Sequence, residues 1–211
     1  MPTSSELPHL VLASSSPYRR ALLARLGIPF QHASPAIDET AHPDEGPAAL
    51  VERLSHAKAR ALVATHPHSL LIGSDQTAWL PHAQRMLGKP GDAETAAQQL
   101  ADCSGQRVVF YTGLCVLDSR RPEQPIITHD LFTVHFRELS TTTIRHYLDT
   151  EQPYDCAGSF RVEGLGIALF SHLEGRDPNS LIGLPMIALV DALSRLNYDV
   201  LEQAYRNRTL P

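Results

Sequence analysis

The segment His9-Leu-Val-Leu-Ala-Ser-Ser-Ser-Pro-Tyr-Arg-Arg20 decides how the chain starts to fold. Its apolar beginning, residues 9–13, favours a strand. Ser16 is a preferred residue just before a helix, and Pro17 suits the first helical position because its missing N–H is not needed there. The segment therefore predicts a strand that leads through a serine-rich loop into a helix.

The same loop gathers groups that bind phosphate. The hydroxyl of Ser14, the free N–H groups of a helix start and the guanidinium groups of Arg19 and Arg20 all belong to this short segment. Helix N-termini and arginine side chains are common binders of phosphate oxygens, so the combination suits a triphosphate. Composition alone favours the plainer alternative, an ordinary N-cap followed by two solvated arginines.

Outward from this segment, helix and strand patterns alternate along the chain, which predicts an α/β or mixed α+β fold. We expect one domain over residues 1–211, with tails at 1–8 and about 198–211. The predicted elements after the first helix are a helix from Pro47 to about Leu62, a strand at Leu70–Ser74, a helix from Asp92 to near Cys103, paired strands at Val108–Leu117 and Leu131–Phe136, a helix capped by Ser140, two glycine-punctuated strands within Gly158–Leu173, and a last apolar helix at Pro185–Leu196.

Composition and charge exclude several classes of protein. Apolar residues make up 43% and charged residues 19% of the chain, which is typical of globular proteins and not of disordered ones. A net charge of -5 argues against a broad basic surface for a nucleic acid polymer, so any phosphate site must be local. The chain has neither a signal-peptide pattern nor an apolar run of about 18 residues, and three cysteines without a Cys-x-x-Cys pair suggest reduced thiols. We expect a cytoplasmic protein that does not enter membranes.

The basic residues are distributed unevenly between arginine and lysine. Of the 18 Lys and Arg residues only Lys58 and Lys89 are lysines. A compact ammonium group is not equivalent to a guanidinium fork, so the two lysines are candidates for point contacts with phosphate or carboxylate groups. The alternative is that both were retained by chance.

An acidic residue follows the predicted strand in Leu70-Leu-Ile-Gly-Ser-Asp-Gln76. Asp75 would lie at the end of this strand, where α/β enzymes usually bind their ligands. A turn aspartate is the simpler interpretation, because Asp is common after strands. Glu39 is a weaker acidic candidate.

Taken together, the order of these motifs resembles the Maf family of nucleotide pyrophosphatases. The resemblance extends from about Leu10 to Leu196 and implies a central twisted mixed sheet flanked by helices. The motifs that carry it are Ser14-Ser-Ser-Pro-Tyr-Arg-Arg20, Asp38-Glu39, Lys58, Gly73-Ser-Asp-Gln76, Gly88-Lys-Pro90, Tyr111-Thr-Gly113 and Gly158-Ser-Phe160.

Within that family the chain is most similar to the subgroup that acts on 7-methyl-GTP. The resemblance implies an acidic active-site role for Asp75 and substrate-selecting roles for Tyr18, Gln76 and Glu163. Position 18 is tyrosine where that subgroup typically has tryptophan, which leaves a smaller aromatic face. The alternatives are a dTTP/UTP pyrophosphatase of the same family and a nucleotide-binding regulator of septum formation.

The implied reaction splits a nucleoside triphosphate into the monophosphate and pyrophosphate. We assign the phosphate chain to cationic and hydroxyl groups, and a Mg²⁺ or Mn²⁺ ion to Asp75 and Glu39. Asp75 is either the proton acceptor or a metal ligand, because neighbouring cations make a carboxylate a weaker base. No local histidine motif suggests zinc. The protein partner that we consider for this chain is a second copy of itself, in a homodimer. The residues assigned to the phosphate chain are Ser14, Arg19, Arg20, Lys58 and Lys89.

Overall fold

The computed structural model describes residues 7–209, which form seven strands and seven α-helices. The strands are β1 (His9–Ala13), β2 (Phe30–Ala33), β3 (Ser69–Leu80), β4 (Arg85–Leu87), β5 (Arg107–Asp118), β6 (Ile126–Phe136) and β7 (Phe170–Gly175). The α-helices are α1 (Pro17–Ala24), α2 (Pro47–Arg60), α3 (Ala93–Cys103), α4 (Thr141–Glu151), α5 (Pro178–Ile182), α6 (Met186–Arg195) and α7 (Val200–Thr209). Short 3₁₀ helices span residues 81–83, 157–159 and 165–169.

One mixed sheet contains all seven of these strands. Its order is β2-β1-β3-β5-β6-β7, and β4 pairs with β3 outside this path. β1 runs parallel to both β2 and β3, whereas β3–β4 and β6–β7 are antiparallel pairs. The predicted mixed sheet with helices between its strands is therefore confirmed.

The predicted helix starts are confirmed in atomic detail. Ser16 caps α1, and its hydroxyl accepts a hydrogen bond from the N–H of Arg19 at 3.4 Å. Asp92 caps α3 and Ser140 caps α4 in the same way, with donor distances of 2.8 and 3.1 Å. Such caps satisfy N–H groups that have no partner within the helix, which is why these residue types mark the boundaries.

The region Gly158–Leu173 differs from the prediction of two strands. It contains two 3₁₀ helices, and only its end joins strand β7. The irregular backbone follows from Gly158, whose φ of +76° is left-handed, and from Ser159, whose φ is +63°. An extended strand cannot contain two consecutive residues in that conformation.

The predicted C-terminal tail is also wrong, since residues 200–209 form helix α7. Asp199 starts this helix, and its Oδ1 accepts hydrogen bonds from the N–H groups of Leu201 and Glu202 at 2.9 and 3.0 Å. Asn207 then donates a side-chain hydrogen bond to the carbonyl of Gly27 at 2.9 Å. The helix exposes Leu201 and most of its other side chains, so it lacks the apolar stripe that identifies a helix in a sequence. Of the predicted N-terminal tail, residues 1–6 lie outside the described residues, and residues 7–8 precede β1 without joining an element.

The described chain divides into two compact units, each made of separate segments. The first unit contains residues 7–75, 113–129 and 183–209, and the second contains residues 76–112 and 130–182. One apolar cluster of the first unit consists of Val11, Ala13, Ala59, Leu62, Leu71, Cys115 and Leu117.

The second unit has an aromatic core built around Phe160. The ring of Phe160 packs edge to face against those of Phe110, Phe136 and Phe170, with centroid distances of 5.4, 5.8 and 4.8 Å. Ser159 is fully buried beside it and donates a hydrogen bond to Gln99 at 2.7 Å. The sequence motif Gly158-Ser-Phe160 is therefore part of the packing of this unit.

The three cysteines are free thiols, as expected from the sequence. Cys103 and Cys115 are fully buried, and burial raises the pKa of each thiol to about 12. Cys156 is partly exposed, and burial with the neighbouring Asp155 raises its pKa to about 11. None of the described helices has the length and apolarity to cross a bilayer.

Candidate active site

Helix α2 lies directly against the sheet of the first unit because two strand residues are glycines. A Cβ at Gly73 would overlap the carbonyl of Ser55 and lie 2.9 Å from the backbone nitrogen of Ala59. A Cβ at Gly113 would lie 2.6 Å from the hydroxyl of Ser55 and overlap the carbonyl of Val51. Any larger residue at either position would push the helix away from β3 and β5.

This close packing brings Lys58 of α2 next to Asp75 of β3. The Lys58 ammonium nitrogen lies 2.6 Å from Asp75 Oδ1 and 3.0 Å from Glu39 Oε1. Lys58 and Asp75 are only 6% and 8% exposed, whereas the Glu39 side chain is 58% exposed. Lys58 therefore joins two carboxylates, one buried and one open to solvent, and we call these three residues the lysine cluster.

The sequence predicted that Asp75 lies at the end of its strand, and the structure does not place it there. Strand β3 continues for five residues beyond it, to Leu80. The pairing of β3 with β1 stops at Ile72, however, so Asp75 lies just past the carboxyl end of the neighbouring parallel strand. The strand continues past Gln76 because residues 78–80 pair antiparallel with β4.

Arg19 adds a second cation to the lysine cluster. Its Nε donates a hydrogen bond of 2.7 Å to the carbonyl of Gly183, which orients the guanidinium group. Burial lowers the pKa of this guanidinium, while the negative charges of Asp75 and Glu39 act in the opposite direction. The first unit therefore holds two cations and two carboxylates within electrostatic range of one another.

The remaining residues predicted from the serine loop lie on α1 and in the loop before it. Ser14 is buried, and its hydroxyl accepts a hydrogen bond of 3.1 Å from the N–H of Ser16. Arg20 is half-buried, and its guanidinium lies 3.1 Å from Nε2 of His32. Tyr18 is half-buried in the first turn of the same helix.

Ser74 links two glycine carbonyls behind the lysine cluster. Its buried hydroxyl lies 2.7 Å from the carbonyl of Gly113 and 2.9 Å from that of Gly183, the same carbonyl that accepts from Arg19. The Gly73-Ser-Asp-Gln76 motif thus combines a helix contact, a backbone anchor and an acidic group in consecutive residues. The sequence predicted the importance of the motif but not the structural role of Ser74.

Gln76, the first residue of the second unit, has its amide nitrogen fully engaged. That nitrogen donates to the carbonyl of Ser180 at 2.7 Å and to the hydroxyl of Thr112 at 3.1 Å, and it lies 3.2 Å from the carbonyl of Leu181. Only the amide oxygen remains for a ligand. A substrate-selecting role of Gln76 would therefore have to use an acceptor and not a donor.

Lys89 and Glu163 of the second unit are exposed and form no ion pair or hydrogen bond with the residues from 7 to 209. Glu163 lies in a turn that is held by Glu151, whose Oε1 accepts a hydrogen bond of 3.0 Å from the N–H of Leu165. A Cβ at Gly164 would lie 2.6 Å from the same carboxylate, so a larger residue there would displace the Glu151 side chain that holds the turn. The turn is anchored while the carboxylate of Glu163 stays free to meet a ligand.

The lysine cluster has the donor atoms that a small divalent cation requires. Asp75 and Glu39 each place a carboxylate oxygen within 3.0 Å of one nitrogen atom, so the two oxygens are close to each other. Mg²⁺ and Mn²⁺ prefer oxygen ligands, often one or two carboxylates together with substrate phosphates. The residues present therefore fit the metal expected from the sequence.

A second group of metal-ligating side chains was missed by the search for local histidine motifs. His135, His172 and Glu174 of the second unit bring their ligand atoms within 4.8 Å of one another. His135 is far along the chain from His172 and Glu174, and the three meet because β6 pairs with β7. Recognising them required the pairing register, which no local motif contains.

The fold and the site together define an α/β protein that gathers cations and carboxylates beside a mixed sheet. The solved structure of a HAM1 protein from Coxiella burnetii has this fold, with a TM-score of 0.51, 14% identity, and coverage of 90% of this chain and 98% of that one. At this identity the likeness concerns the fold alone.

The chain belongs to the Maf family, since residues 9–196 match the family described as Maf-like protein. Two similar curated relatives are both named 7-methyl-GTP pyrophosphatase. The protein from Nitrosococcus oceani is 55% identical over 92% of this chain and 96% of its own length. The protein from Alcanivorax borkumensis is 52% identical over 90% of this chain and 95% of its own length.

Proposed function

We propose that this protein hydrolyses 7-methyl-GTP to 7-methyl-GMP and pyrophosphate. The observation that carries the proposal is the lysine cluster, which combines a buried ammonium with two carboxylates in a chain more than half identical to relatives named for this reaction. The cytoplasm, where free nucleotides are made and used, is the compartment that this reaction implies.

In this reaction a water oxygen bonds to the α phosphorus while the bond from that phosphorus to the bridging oxygen breaks. Negative charge builds on the departing pyrophosphate, and fixed cations stabilise it without reorganising. Lys58 and Arg19 supply two such cations, and Asp75 accepts the proton of the attacking water or holds a metal. Asp75 and Glu39 would hold Mg²⁺ or Mn²⁺, which when bound neutralises phosphate charge.

The rest of the phosphate chain is assigned to groups that have unused donors. Arg20 and Lys89 are the additional cations, and Ser14 supplies a hydroxyl beside the N-terminus of α1. Helix N-termini and charged side chains bind phosphate oxygens through short, charge-assisted hydrogen bonds.

The choice of base is assigned to Glu163, Tyr18 and Gln76. Guanine presents adjacent N–H donors on its Watson–Crick edge, and a free carboxylate such as that of Glu163 accepts both. The ring of 7-methylguanine carries a positive charge, which favours the carboxylate and also the aromatic face of Tyr18, the latter by about 0.5–2 kcal/mol. Gln76 contributes its amide oxygen.

The names of the relatives favour this reaction over the two alternatives, a dTTP/UTP pyrophosphatase and a purely regulatory nucleotide-binding protein. A panel of 7-methyl-GTP, GTP, dTTP and UTP, with separate detection of pyrophosphate and orthophosphate, tests the proposal. We expect pyrophosphate release, fastest from 7-methyl-GTP and dependent on added Mg²⁺ or Mn²⁺. Faster hydrolysis of dTTP or UTP would support the first alternative, and binding without turnover would support the second.

A further inference from the structure

His135, His172 and Glu174 form a compact group on one face of the antiparallel β6–β7 pair in the second unit. Their ligand atoms lie within 4.8 Å of one another. In residues 7–209 this is the one group of three histidine, cysteine or acidic side chains with such spacing. We call it the histidine cluster.

The strand register fixes the histidine cluster. His135 pairs directly with His172, and Glu174 pairs with Thr133 two residues further along. Because side chains alternate between the two faces of a sheet, His172 and Glu174 point to the same side. A β-bulge follows His135, where the hydroxyl of Ser171 donates a hydrogen bond of 3.1 Å to the His135 carbonyl.

Core packing prevents this register from slipping. Phe132 of β6 is buried in the aromatic core, and a Cβ at Gly175 of β7 would overlap its ring. Gly175 is therefore needed opposite Phe132, and a shift of one residue would place a side chain there. The three ligand groups stay on one face as a consequence of packing on the other.

One buried ring nitrogen of the histidine cluster makes no hydrogen bond. Nε2 of His135 is buried and makes no hydrogen bond, although the residue is partly exposed. The nearest acidic atom, Oε2 of Glu174, is 3.7 Å away, which is beyond hydrogen-bond distance. A buried polar atom without a partner is costly, and a bound cation would provide one.

We propose that the histidine cluster is a Zn²⁺ site. Two imidazoles and one carboxylate suit zinc, whereas the all-oxygen pair Asp75 and Glu39 suits Mg²⁺ or Mn²⁺. Tetrahedral zinc, with ligands at about 2.1 Å, requires ligand atoms about 3.4 Å apart. His172 and Glu174 are exposed and can reach that spacing by rotating their side chains. A water molecule takes the fourth position because this face is open to solvent.

Zinc at this site would hold strand β7 to β6. β7 is the last strand in the sheet order, so only one neighbour holds it by backbone hydrogen bonds. A cation that binds the folded form and not the unfolded chain raises the melting temperature, by an amount that grows with the logarithm of its concentration relative to Kd. The proposed role is stabilisation of this strand, and it does not depend on the hydrolytic reaction.

The test uses the full-length protein without a histidine tag, stripped of metal and titrated with ZnCl₂ by calorimetry. We expect one Zn²⁺ ion per chain and a higher melting temperature with zinc than without it. His172→Gln and Glu174→Gln remove exposed ligands, so both variants should fold and lose at least about tenfold in affinity. His135→Gln should do the same, although its partial burial makes it the less decisive variant.

Two exposed histidines outside the cluster, His82 and His146, provide matched controls. His82→Gln and His146→Gln should bind zinc like the wild type, and so should Asp75→Asn. The proposal would be overturned if the wild type bound no stoichiometric zinc, or if the control and cluster variants bound it equally. Loss of zinc in Asp75→Asn alone would assign the ion to the lysine cluster instead.

Discussion

The pairing of Lys58 with Asp75 shows how far single residues could be interpreted from the sequence. The scarcity of lysine singled out Lys58, and a strand pattern singled out Asp75. Neither signal indicated that the two side chains touch, because α2 and β3 are separate elements and their contact depends on packing. The partner Glu39, a weak candidate in the sequence, gains its importance from the same contact.

Asp75→Asn should lower kcat by at least about 100-fold, the typical contribution of a general base or of comparable electrostatic stabilisation. The amide keeps the volume but removes the charge that faces Lys58. We expect a free energy of unfolding lower by about 1–3 kcal/mol, since Glu39 still pairs with the ammonium. Steady-state kinetics and urea unfolding measure the two effects, with Asp149→Asn on the exposed face of α4 as the control. Activity near that of the wild type would exclude Asp75 from the mechanism.

Lys58→Arg should reduce kcat/KM by at least about tenfold, which is about 1.4 kcal/mol of transition-state stabilisation. The Lys58 ammonium is buried and lies 2.6 Å from Asp75. A guanidinium is larger, so it cannot take the same position and keep the contacts with both Asp75 and Glu39. Lys89→Arg should impair catalysis less, because Lys89 is exposed and has room for the larger group. Steady-state kinetics of both variants test whether the lysines are required, with Arg60→Lys at an exposed position as the control. Full activity in all three variants would mean that lysine was retained by chance.

At the scale of elements, the start of each helix was easier to predict than the shape of irregular segments. Caps such as Ser16 and Asp92 act through their own neighbours in the chain, so the sequence contains the whole signal. Helix α7 was missed although Asp199 caps it, because the helix buries too little apolar surface to show a stripe. The turns within Gly158–Leu173 depend on contacts with the aromatic core, which a local pattern does not contain.

The approach of α2 to β3 is the element-scale contact on which the lysine cluster depends. Gly73→Ala should lower the free energy of unfolding by about 1–3 kcal/mol or more, because the added methyl meets backbone atoms of α2 that cannot rotate away. It should also reduce activity by displacing Lys58 from Asp75.

Gly88→Ala is the matched control for this prediction, since a Cβ at Gly88 has no atom within 4 Å. Urea unfolding of both variants compares the effect of one added methyl group at Gly73, which packs against α2, with its effect at Gly88, which has no atoms nearby. If Gly73→Ala and Gly88→Ala were equally stable, α2 would not rest on β3 as tightly as the structure shows.

At the scale of the whole molecule, the division into two compact units was not visible in the sequence. Each unit is assembled from segments that are separated along the chain, so the units are not consecutive domains joined by one linker that a sequence could reveal. The lysine cluster belongs to the first unit, and Lys89 and Glu163 belong to the second. Glu163, proposed for recognition of the base, forms no hydrogen bond or ion pair with the lysine cluster, so a mutation can change it and leave the cluster intact.

Glu163→Gln should therefore change the substrate preference more than the chemistry. The substitution keeps the size of the side chain but replaces one of two acceptors by a donor, so a guanine N–H would face another N–H. An unpaired donor costs roughly 1–3 kcal/mol, which corresponds to about 5- to 150-fold in kcat/KM. The loss should fall on 7-methyl-GTP and less on dTTP or UTP, because pyrimidine edges offer a different donor pattern and carry no ring charge.

The measurement is kcat/KM for each nucleotide. The control is Glu123→Gln, the same substitution at an exposed glutamate of the first unit. Asp75→Asn provides the opposite reference, since loss of a group that acts on the phosphate chain should slow all substrates equally. If Glu163→Gln behaved in that way, Glu163 would act on phosphate or metal, and recognition of the base would lie elsewhere. A ratio of 7-methyl-GTP to dTTP hydrolysis that falls in Glu163→Gln and is unchanged in Glu123→Gln would instead assign recognition of the guanine edge to this carboxylate.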